Sequence, residues 1–293
     1  MTDWMKFRKI YFLVSGGIII AGILSLLNWG LRPGVDFQGG TIAEYSFEKE
    51  ISTEDTSKKL ESEGIQVFSI QNIGEKKYLF RLPPLASQDQ EKIKNILQEI
   101  SETRKAEELR FETVGPSVGP ELIKKTFYAA FIASLAILLW VAFQFKSAKF
   151  GVSAILAMFH DSFCLVGIYS ILGHLYGAEV DFLFVTALLT TLSFSVHDTI
   201  VVYDRIRETQ SRFGGSLYEM ANKAVTETMV RSLNNSFTII FMLVALILLG
   251  GTTVKWFAVS LFIGTVLGTY SSPFVAVPLV VFWEEVSNKL KKR

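Results

Sequence analysis

Cysteine is nearly absent from this sequence. Of 293 residues only one, Cys164, is a cysteine, so no disulfide can form within the chain. It lies in an apolar run, and we interpret it as a small packing residue. The segment 28–125 contains neither cysteine nor histidine, which argues against thiol catalysis or a soft-metal site there.

Charge is also scarce. Charged residues make up 19% of the chain and apolar residues 50%, whereas an ordinary soluble domain has about 25% charged residues. The net charge is +1 and no basic, aromatic-rich domain is present, so nucleic-acid binding is not expected. The charges are concentrated in 28–125, and 127–283 is mostly apolar. This division favours a membrane protein with one polar domain.

Six apolar segments approach the length of about 20 helical residues that a bilayer requires. They are 10–27, 127–145, 152–172, 182–203, a segment ending at 249, and 256–282. The fifth is unusual, because its clearly apolar part begins only at Phe237. To span the membrane, its helix must begin near Met229 and carry Arg231, Asn234 and Asn235 inward.

The basic residues at 5–9, before the first apolar run, are typical of the start of a secretory signal peptide. The run is longer than the ~7–15 apolar residues of such a peptide, and no small-residue cleavage site precedes Trp29. We therefore interpret the first 28 residues as a cytoplasmic N-terminus followed by a retained membrane anchor.

Lysine and arginine are unequally distributed among the short segments between the runs. They cluster before the first run, between the second and third, between the fourth and fifth, and in the tail 284–293. The segment 173–181 has none, and 250–255 has one. Since cytoplasmic loops carry the excess of these residues, we predict six helices with both termini in the cytoplasm. The bundle of helices two to six would then occupy 126–283.

The segment 29–125 is predicted to be an extracytoplasmic α+β domain. Apolar patterns indicate four strands, at 41–47, 65–73, 77–82 and 108–114, and two helices, at 52–63 and 87–104. The resulting order βαββαβ is typical of the ferredoxin-like fold. Because a fold alone implies no activity, the domain is expected either to bind a polypeptide or to space a partner.

Two joints rich in glycine and proline flank this domain, the first at 34–41 and the second at 114–121. Their notable residues are Asp36, Gly39, Gly40, Gly115, Pro116, Gly119 and Pro120. Neither joint has the GxxxxGK[ST] pattern of a phosphate loop, and no helix is expected to open directly from the glycines. We interpret both as tight turns between membrane and domain. A hinge that lets the domain swing is the alternative.

The fourth apolar run carries charge before it ends, at Asp198. Polar residues recur there along two neighbouring helical stripes, one of Thr191, Ser195, Asp198 and Arg205, the other of Thr190, Ser193, His197 and Asp204. A carboxylate inside a bilayer costs about 2.5–3.5 kcal/mol. The polar stripes are therefore expected to face other helices or water and not acyl chains.

Further polar groups lie in the third and fifth runs, and together with Asp198 they suggest a proton relay. A carboxylate that alternates between an arginine partner and a proton is the core of such a relay. We predict that its members are Asp198, Arg231 and Asp161, with His197, Ser195, Asn234, Asn235 and His160 as supporting polar residues. The alternative is a static buried ion pair that fixes helix register.

Enzymatic interpretations of these residues are weaker. Ser195, His197 and Asp198 do not form a hydrolase triad, because their spacing spreads the three side chains around the helix. The His-Asp pairs of the third and fourth runs lack the HExxH spacing of a zinc site, and no metal is expected. An intramembrane enzyme would need a convergent nucleophile or metal set that the sequence does not offer.

Five motifs, in order along nearly the whole chain, resemble those of the SecF family. They are GVDFQGGT (34–41), VGPSVGPEL (114–122), FHD (159–161), SVHDTIVVYDRIRE (195–208) and RSLNNS (231–236). SecF proteins are the smaller membrane subunits of the bacterial SecDF protein-export factor, in the resistance-nodulation-division superfamily. One departure is His197, where asparagine is expected. It leaves Asp198 in place but is expected to alter its hydrogen bonding.

The resemblance implies several partners and a mechanism. The partners would be SecD, the SecYEG channel, YajC and translocating preproteins, in the bacterial inner membrane. The proton-motive force would drive export, with protons as the coupling ion and no other cofactor. By the same likeness, Asp198 corresponds to the proton-carrying aspartate and Arg231 to the arginine near it. The alternative is a small-molecule or lipid exporter of the same superfamily, although such exporters usually carry two large external domains.

The predicted orientation can be tested with introduced cysteines in a Cys164→Ala background. A cysteine at Ser57 should react with a membrane-impermeant thiol reagent in intact spheroplasts, and one at Ser211 should not, because the two positions are predicted on opposite sides of the membrane. Permeabilised cells are the control, in which both should react. Labelling of the Ser211 variant alone in intact cells would contradict the orientation.

Overall fold

The computed structural model describes residues 2–291 except 102, 104, 116, 117 and 146. The chain divides into two compact units. The sheet domain is Pro33–Phe127, and the helical unit combines Met1–Arg32 with Tyr128–Arg293. Each unit has its own apolar core.

The described elements follow one another with short connections. In chain order they are a 3₁₀ turn (Trp4–Phe7), α1 (Arg8–Asn28), α2 (Val35–Gln38), β1 (Gly40–Phe47), α3 (Thr53–Ser62), β2 (Ser69–Gly74), β3 (Lys77–Leu82), α4 (Ser87–Ile100), β4 (Ala106–Val114), α5 (Val118–Phe145), α6 (Ala148–Tyr176), α7 (Phe182–Phe213), α8 (Leu217–Leu249), α9 (Thr252–Ser271), a π turn (Ser272–Ala276) and α10 (Val277–Lys291).

Six stretches of these helices are long and apolar enough to cross a membrane. They are Trp4–Asn28, Gly119–Phe145, Ala148–Tyr176, Phe182–Phe213, Leu217–Leu249 and Val254–Leu290. The predicted six-helix membrane architecture is therefore confirmed. The sixth span combines α9 and α10 through the π turn, where Pro273 lacks the N–H that a regular helix would use.

The starts of α8 and of the helices at the two joints differ from the prediction. The fifth spanning helix begins at Leu217 and not near Met229, because Ser216 and Glu219 cap it reciprocally, each side chain accepting a hydrogen bond from the other residue's backbone N–H. The expectation that no helix opens from the joints is also wrong, since α2 follows Gly34 directly in the first joint, and α5 begins at Val118 and includes Gly119 and Pro120 in the second. A proline fits there because the first backbone N–H groups of a helix have no partner within it.

The sheet domain has the predicted ferredoxin-like order. Its four strands are antiparallel in the order β2-β3-β1-β4. Apolar side chains of the sheet and of α3 and α4 form one core, which includes Tyr45, Phe80, Leu60, Ile93 and Leu97. The Tyr45 hydroxyl donates a hydrogen bond to Glu108 at 2.8 Å, and burial, reinforced by that carboxylate, raises the pKa of the Tyr45 phenol.

The two joints meet within the sheet domain. Gly39 and Gly40 have φ of 78° and 145°, values that favour glycine. Gly119 of the second joint lies directly against the carbonyl of Phe37 in α2, so that no side chain fits there. Pro116 lies outside the described residues. The hinge interpretation of the joints stays a prediction.

Close helix contacts in the helical unit occur at glycines. A Cβ atom on Gly167 of α6 would lie 2.5 Å from the Gly22 Cα atom of α1, and the Ser25 hydroxyl of α1 donates to Ser170 of α6 at 2.8 Å. Gly264 of α9 lies against the side chain of Thr191 on α7 in the same way. Small residues let helices in a membrane approach closely enough for dispersion contacts and short hydrogen bonds.

The contact between α1 and α6 is testable by overpacking. Gly22→Val should destabilise the protein by about 1–3 kcal/mol, because a Cβ atom on Gly22 would lie 3.0 Å from Gly167 Cα. Gly17→Val is the matched control on the same helix, since nothing lies within 4 Å of its Cβ position. Thermal unfolding of the purified variants in detergent measures the difference, and equal midpoints would contradict the contact.

Candidate functional site

Asp198 lies on the inward face of α7 and is only 4% exposed. Its Oδ2 atom accepts a hydrogen bond from the hydroxyl of Ser232 on α8. Arg231 and His197 are exposed to solvent or lipid, and both are near enough to act electrostatically on Asp198. Within the described residues, no ion pair joins Arg231 to Asp198. The structure thus places Arg231 near Asp198 but gives the carboxylate a hydroxyl as its direct partner.

Asp161 of α6 is completely buried and links three helices. Its Oδ2 atom accepts hydrogen bonds from Ser195 of α7 at 2.5 Å and from Ser271 at the end of α9 at 2.6 Å. Its Oδ1 atom lies 2.8 Å from Nδ1 of His160. Every carboxylate oxygen therefore has a polar partner, as a buried carboxylate requires.

Two further buried hydroxyl groups belong to the polar cluster around Asp161. The hydroxyls of Thr199 on α7 and Ser272 in the π turn are 3.0 Å apart, and Ser272 also donates to the carbonyl of Gly268 at 3.0 Å. On the other side, the sulfur of Cys164 lies 3.7 Å from Nε2 of His160. The only cysteine is thus buried at the edge of the polar cluster.

Both carboxylates are connected to one face of α7, Asp198 as part of that helix and Asp161 of α6 through Ser195. Ser195, which holds Asp161, and Asp198 are three residues apart on that helix and are both buried. Residues three and four apart lie on the same side of a helix. The same side of α7 therefore carries Asp198 and the hydroxyl that binds Asp161.

The two polar stripes of α7 have different surroundings. Thr191, Ser195 and Asp198 of the first stripe are buried between helices. Thr190, Ser193 and His197 of the second stripe are exposed, as are Arg231, Asn234 and Asn235 on α8. In the described part of the chain, no recorded hydrogen bond joins the predicted supporting residues Asn234 and Asn235 to either carboxylate. They belong to a polar surface that this chain leaves uncovered.

Charged residues at the ends of α7 and α8 surround a small cavity. Arg205 of α7 pairs with Glu227 of α8 at 2.5 Å and with Glu208 at 2.7 Å. The cavity has a volume of about 290 Å³, and its lining includes these three side chains, Asp204 and Arg231. Arg231 thus shares this cavity with a group of carboxylates and also acts electrostatically on Asp198.

The structure offers no enzyme-like arrangement of the predicted polar residues. Ser195 is buried and bonded to Asp161, whereas His197 is exposed on another side of α7. In the described part of the chain, no three His, Cys, Asp or Glu side chains are placed to hold a metal ion.

Four hydroxyl residues of the site are not among the residues predicted from the sequence. They are Thr199, Ser232, Ser271 and Ser272. Serine within an apolar helix is a signal for contact with another helix, and Ser232 directly follows Arg231. Without the packing of the helices, however, nothing in the sequence distinguishes these residues from serines that bond only to their own helix.

Fold and site together define a class of protein. It is a multi-pass membrane protein with six apolar helices, one ferredoxin-like domain between the first two, and buried carboxylates in the bundle. The family profile "Protein export membrane protein SecD/SecF, C-terminal" matches residues 92–286, and the profile "SecD/SecF GG Motif" matches residues 25–51.

Relatives that match nearly the whole length of the chain identify its family within this class. The chain is 44% identical to "Protein translocase subunit SecF" of Thermobaculum terrenum, over 97% of this chain and 94% of the relative. It is 34% identical to the protein of that name in Anaerolinea thermophila, with the same coverage. The chain belongs to the SecF family.

Solved structures agree with this assignment. The crystal structure of SecDF from Thermus thermophilus superimposes with a TM-score of 0.85 at 32% identity, over 97% of this chain. A second SecDF crystal structure, in a super-membrane-facing form, gives a TM-score of 0.72 at 31% identity. The chain spans 39% and 40% of the length of those two chains.

The links between Asp161 and its hydroxyl donors predict a stability effect. Ser271→Ala should lower the free energy of unfolding by about 1–3 kcal/mol, because it leaves a buried carboxylate oxygen with one donor fewer. Thr265→Val is the control on α9, since it removes a buried hydroxyl whose recorded hydrogen bond, among the described residues, goes to the carbonyl of Leu261 on its own helix. Thermal unfolding of the purified chain compares them. Equal loss in both variants would mean that the link to Asp161 contributes nothing.

Proposed function

We propose that this chain is the SecF subunit of a proton-driven protein-export factor, which promotes translocation and release of preproteins beside the SecYEG channel. Membership of the SecF family supports the role in export, because relatives across the whole length are named protein translocase subunits. The observation that supports proton coupling is the buried Asp198 on α7, with Ser232 as its direct partner and Arg231 adjacent.

The partner that we propose is SecD. The relative in Bacillus subtilis is named "Protein translocase subunit SecDF", and the chain matches only 39% of it. A separate SecD subunit would supply the remainder. The uncovered polar surface on α7 and α8, which includes His197, Arg231 and Asn234, supports such an arrangement, because polar groups on membrane helices require protein or water around them. YajC is a further proposed partner.

The proposed relay depends on the chemistry of one carboxylate. When Asp198 is ionised, a nearby cation stabilises it, and the planar guanidinium of Arg231 can donate to both oxygens at once. When Asp198 is protonated, that attraction is lost and the arginine is released. Binding and release of one proton therefore changes the preferred position of α8 relative to α7.

The electrochemical gradient is large enough to drive this change. A proton that crosses a potential of 100 mV provides about 2.3 kcal/mol, which changes a two-state equilibrium about fiftyfold. In the proposed orientation both termini are cytoplasmic and the sheet domain is extracytoplasmic, in the bacterial inner membrane. There the domain would meet the preprotein as it leaves the channel.

Substitution of Asp198 tests the proposal. Asp198→Asn should insert and bind SecD, but lose the part of export that requires the proton-motive force. Asp198→Glu should retain part of that activity, and Arg231→Lys less, because lysine lacks the planar fork of the guanidinium. Translocation of a precursor into inner-membrane vesicles, with and without an imposed proton gradient, measures the effect.

The matched control is Asp55→Asn, an exposed aspartate on α3 of the sheet domain, which should export as the wild type does. Normal export by Asp198→Asn, with the gradient still required, would show that Asp198 only fixes helix register. The relay would then have to be sought at Asp161.

A further inference from the structure

Ser232 makes the only direct hydrogen bond recorded to Asp198 among the described side chains. It is half-buried on α8 and directly follows the exposed Arg231. The charged or titratable groups around Asp198 are His197 on α7 and Arg231 on α8. The adjoining part of α9 presents the uncharged Gly268 to α7 and Thr269 to α8.

A hydroxyl and a guanidinium are different partners for a carboxyl group. The guanidinium of Arg231 has only donors, so it pairs with both oxygens of the ionised carboxylate but cannot accept a hydrogen bond from the O–H of the protonated acid. The hydroxyl of Ser232 both donates and accepts, so it can pair with the carboxylate or with the protonated acid. Of the two neighbouring residues, Ser232 is therefore the one that can remain bonded to Asp198 while a proton arrives or leaves.

Other hydroxyl contacts fix the position of Ser232. Its backbone carbonyl accepts a hydrogen bond from the Ser236 hydroxyl at 2.9 Å, and Ser236 is bonded in turn to Thr269 of α9 at 2.6 Å. Beyond Thr228, the buried residues described on α8 are Ser236 and Leu243. This half of the helix is thus held near α7 and α9 through a few hydroxyl groups and little apolar packing.

We propose that Ser232 is a positioning residue of the relay, which holds the carboxyl group of Asp198 in place while Arg231 is away from it and the proton is exchanged. This inference rests on the proposed function, because it assigns the second partner of the carboxylate in that cycle. Arg231 and Ser232 then alternate at Asp198. Their adjacency on α8 means that a small rearrangement of this helix, or a swing of the long arginine side chain, exchanges one for the other.

The test uses the full chain with SecD and the SecYEG channel in liposomes, and it makes two measurements. Infrared difference spectra across a pH titration report the carboxyl band of Asp198, identified by its loss in Asp198→Asn, and gradient-driven precursor export is measured in parallel. Ser232→Ala should move the band to higher frequency, because the carboxyl group loses a hydrogen bond. It should also slow export about tenfold, within the usual strength of a hydrogen bond to a charged group.

Two further variants separate the hydroxyl from packing. Ser232→Thr keeps the hydroxyl and should restore both the band and the export rate. Ser162→Ala, which removes a hydroxyl bonded only to the carbonyl of Met158 on its own helix α6, should change neither.

Three outcomes would overturn the inference: an unchanged band in Ser232→Ala, a Ser232→Thr variant that behaves as Ser232→Ala does, or no band lost in Asp198→Asn. A band that responds to Ser232→Ala while export is unaffected by Asp198→Asn would support the contact and refute the proton-coupled function.

Discussion

The cost of placing a carboxylate inside a membrane governs the arrangement of this helical unit. Away from bulk water, a buried carboxylate such as Asp161 or Asp198 needs hydrogen-bond donors from other side chains. The donors of Asp161 come from α6, α7 and α9, and the donor of Asp198 comes from α8. Short serine side chains reach these oxygens only because the helices approach closely, as α7 and α9 do at Gly264 and Gly268.

The two buried carboxylates are held in contrasting ways. Asp161 has partners on three helices and no exposed surface, so any movement of it breaks several hydrogen bonds at once. Asp198 has one recorded hydroxyl partner among the described residues and the exposed Arg231 nearby, so fewer hydrogen bonds hold it in place. In the proposed relay, Asp161 would therefore be the fixed carboxylate and Asp198 the one whose partners change.

Much of the fold could be predicted because it depends on local periodicity. Apolar runs located the six spans, and alternation in the strands gave the βαββαβ order. The start of α8 was not predictable from apolar residues, since its first turns are polar and only the cap at Ser216 marks them. Ser232 and Ser271 could not be recognised either, because their role depends on which helices are neighbours. Sequence spacing within one helix does not contain that information.

The contact between α1 and α6 also constrains how the chain is assembled. Gly22 and Ser25 of α1 find their partners, Gly167 and Ser170, only on the third membrane span. During synthesis α1 enters the bilayer well before α6 has been made, since the whole sheet domain is translated between them. Until α6 is inserted, the small and polar face of α1 has no helix packed against it. During that interval α1 is accessible to membrane proteases and to unrelated helices.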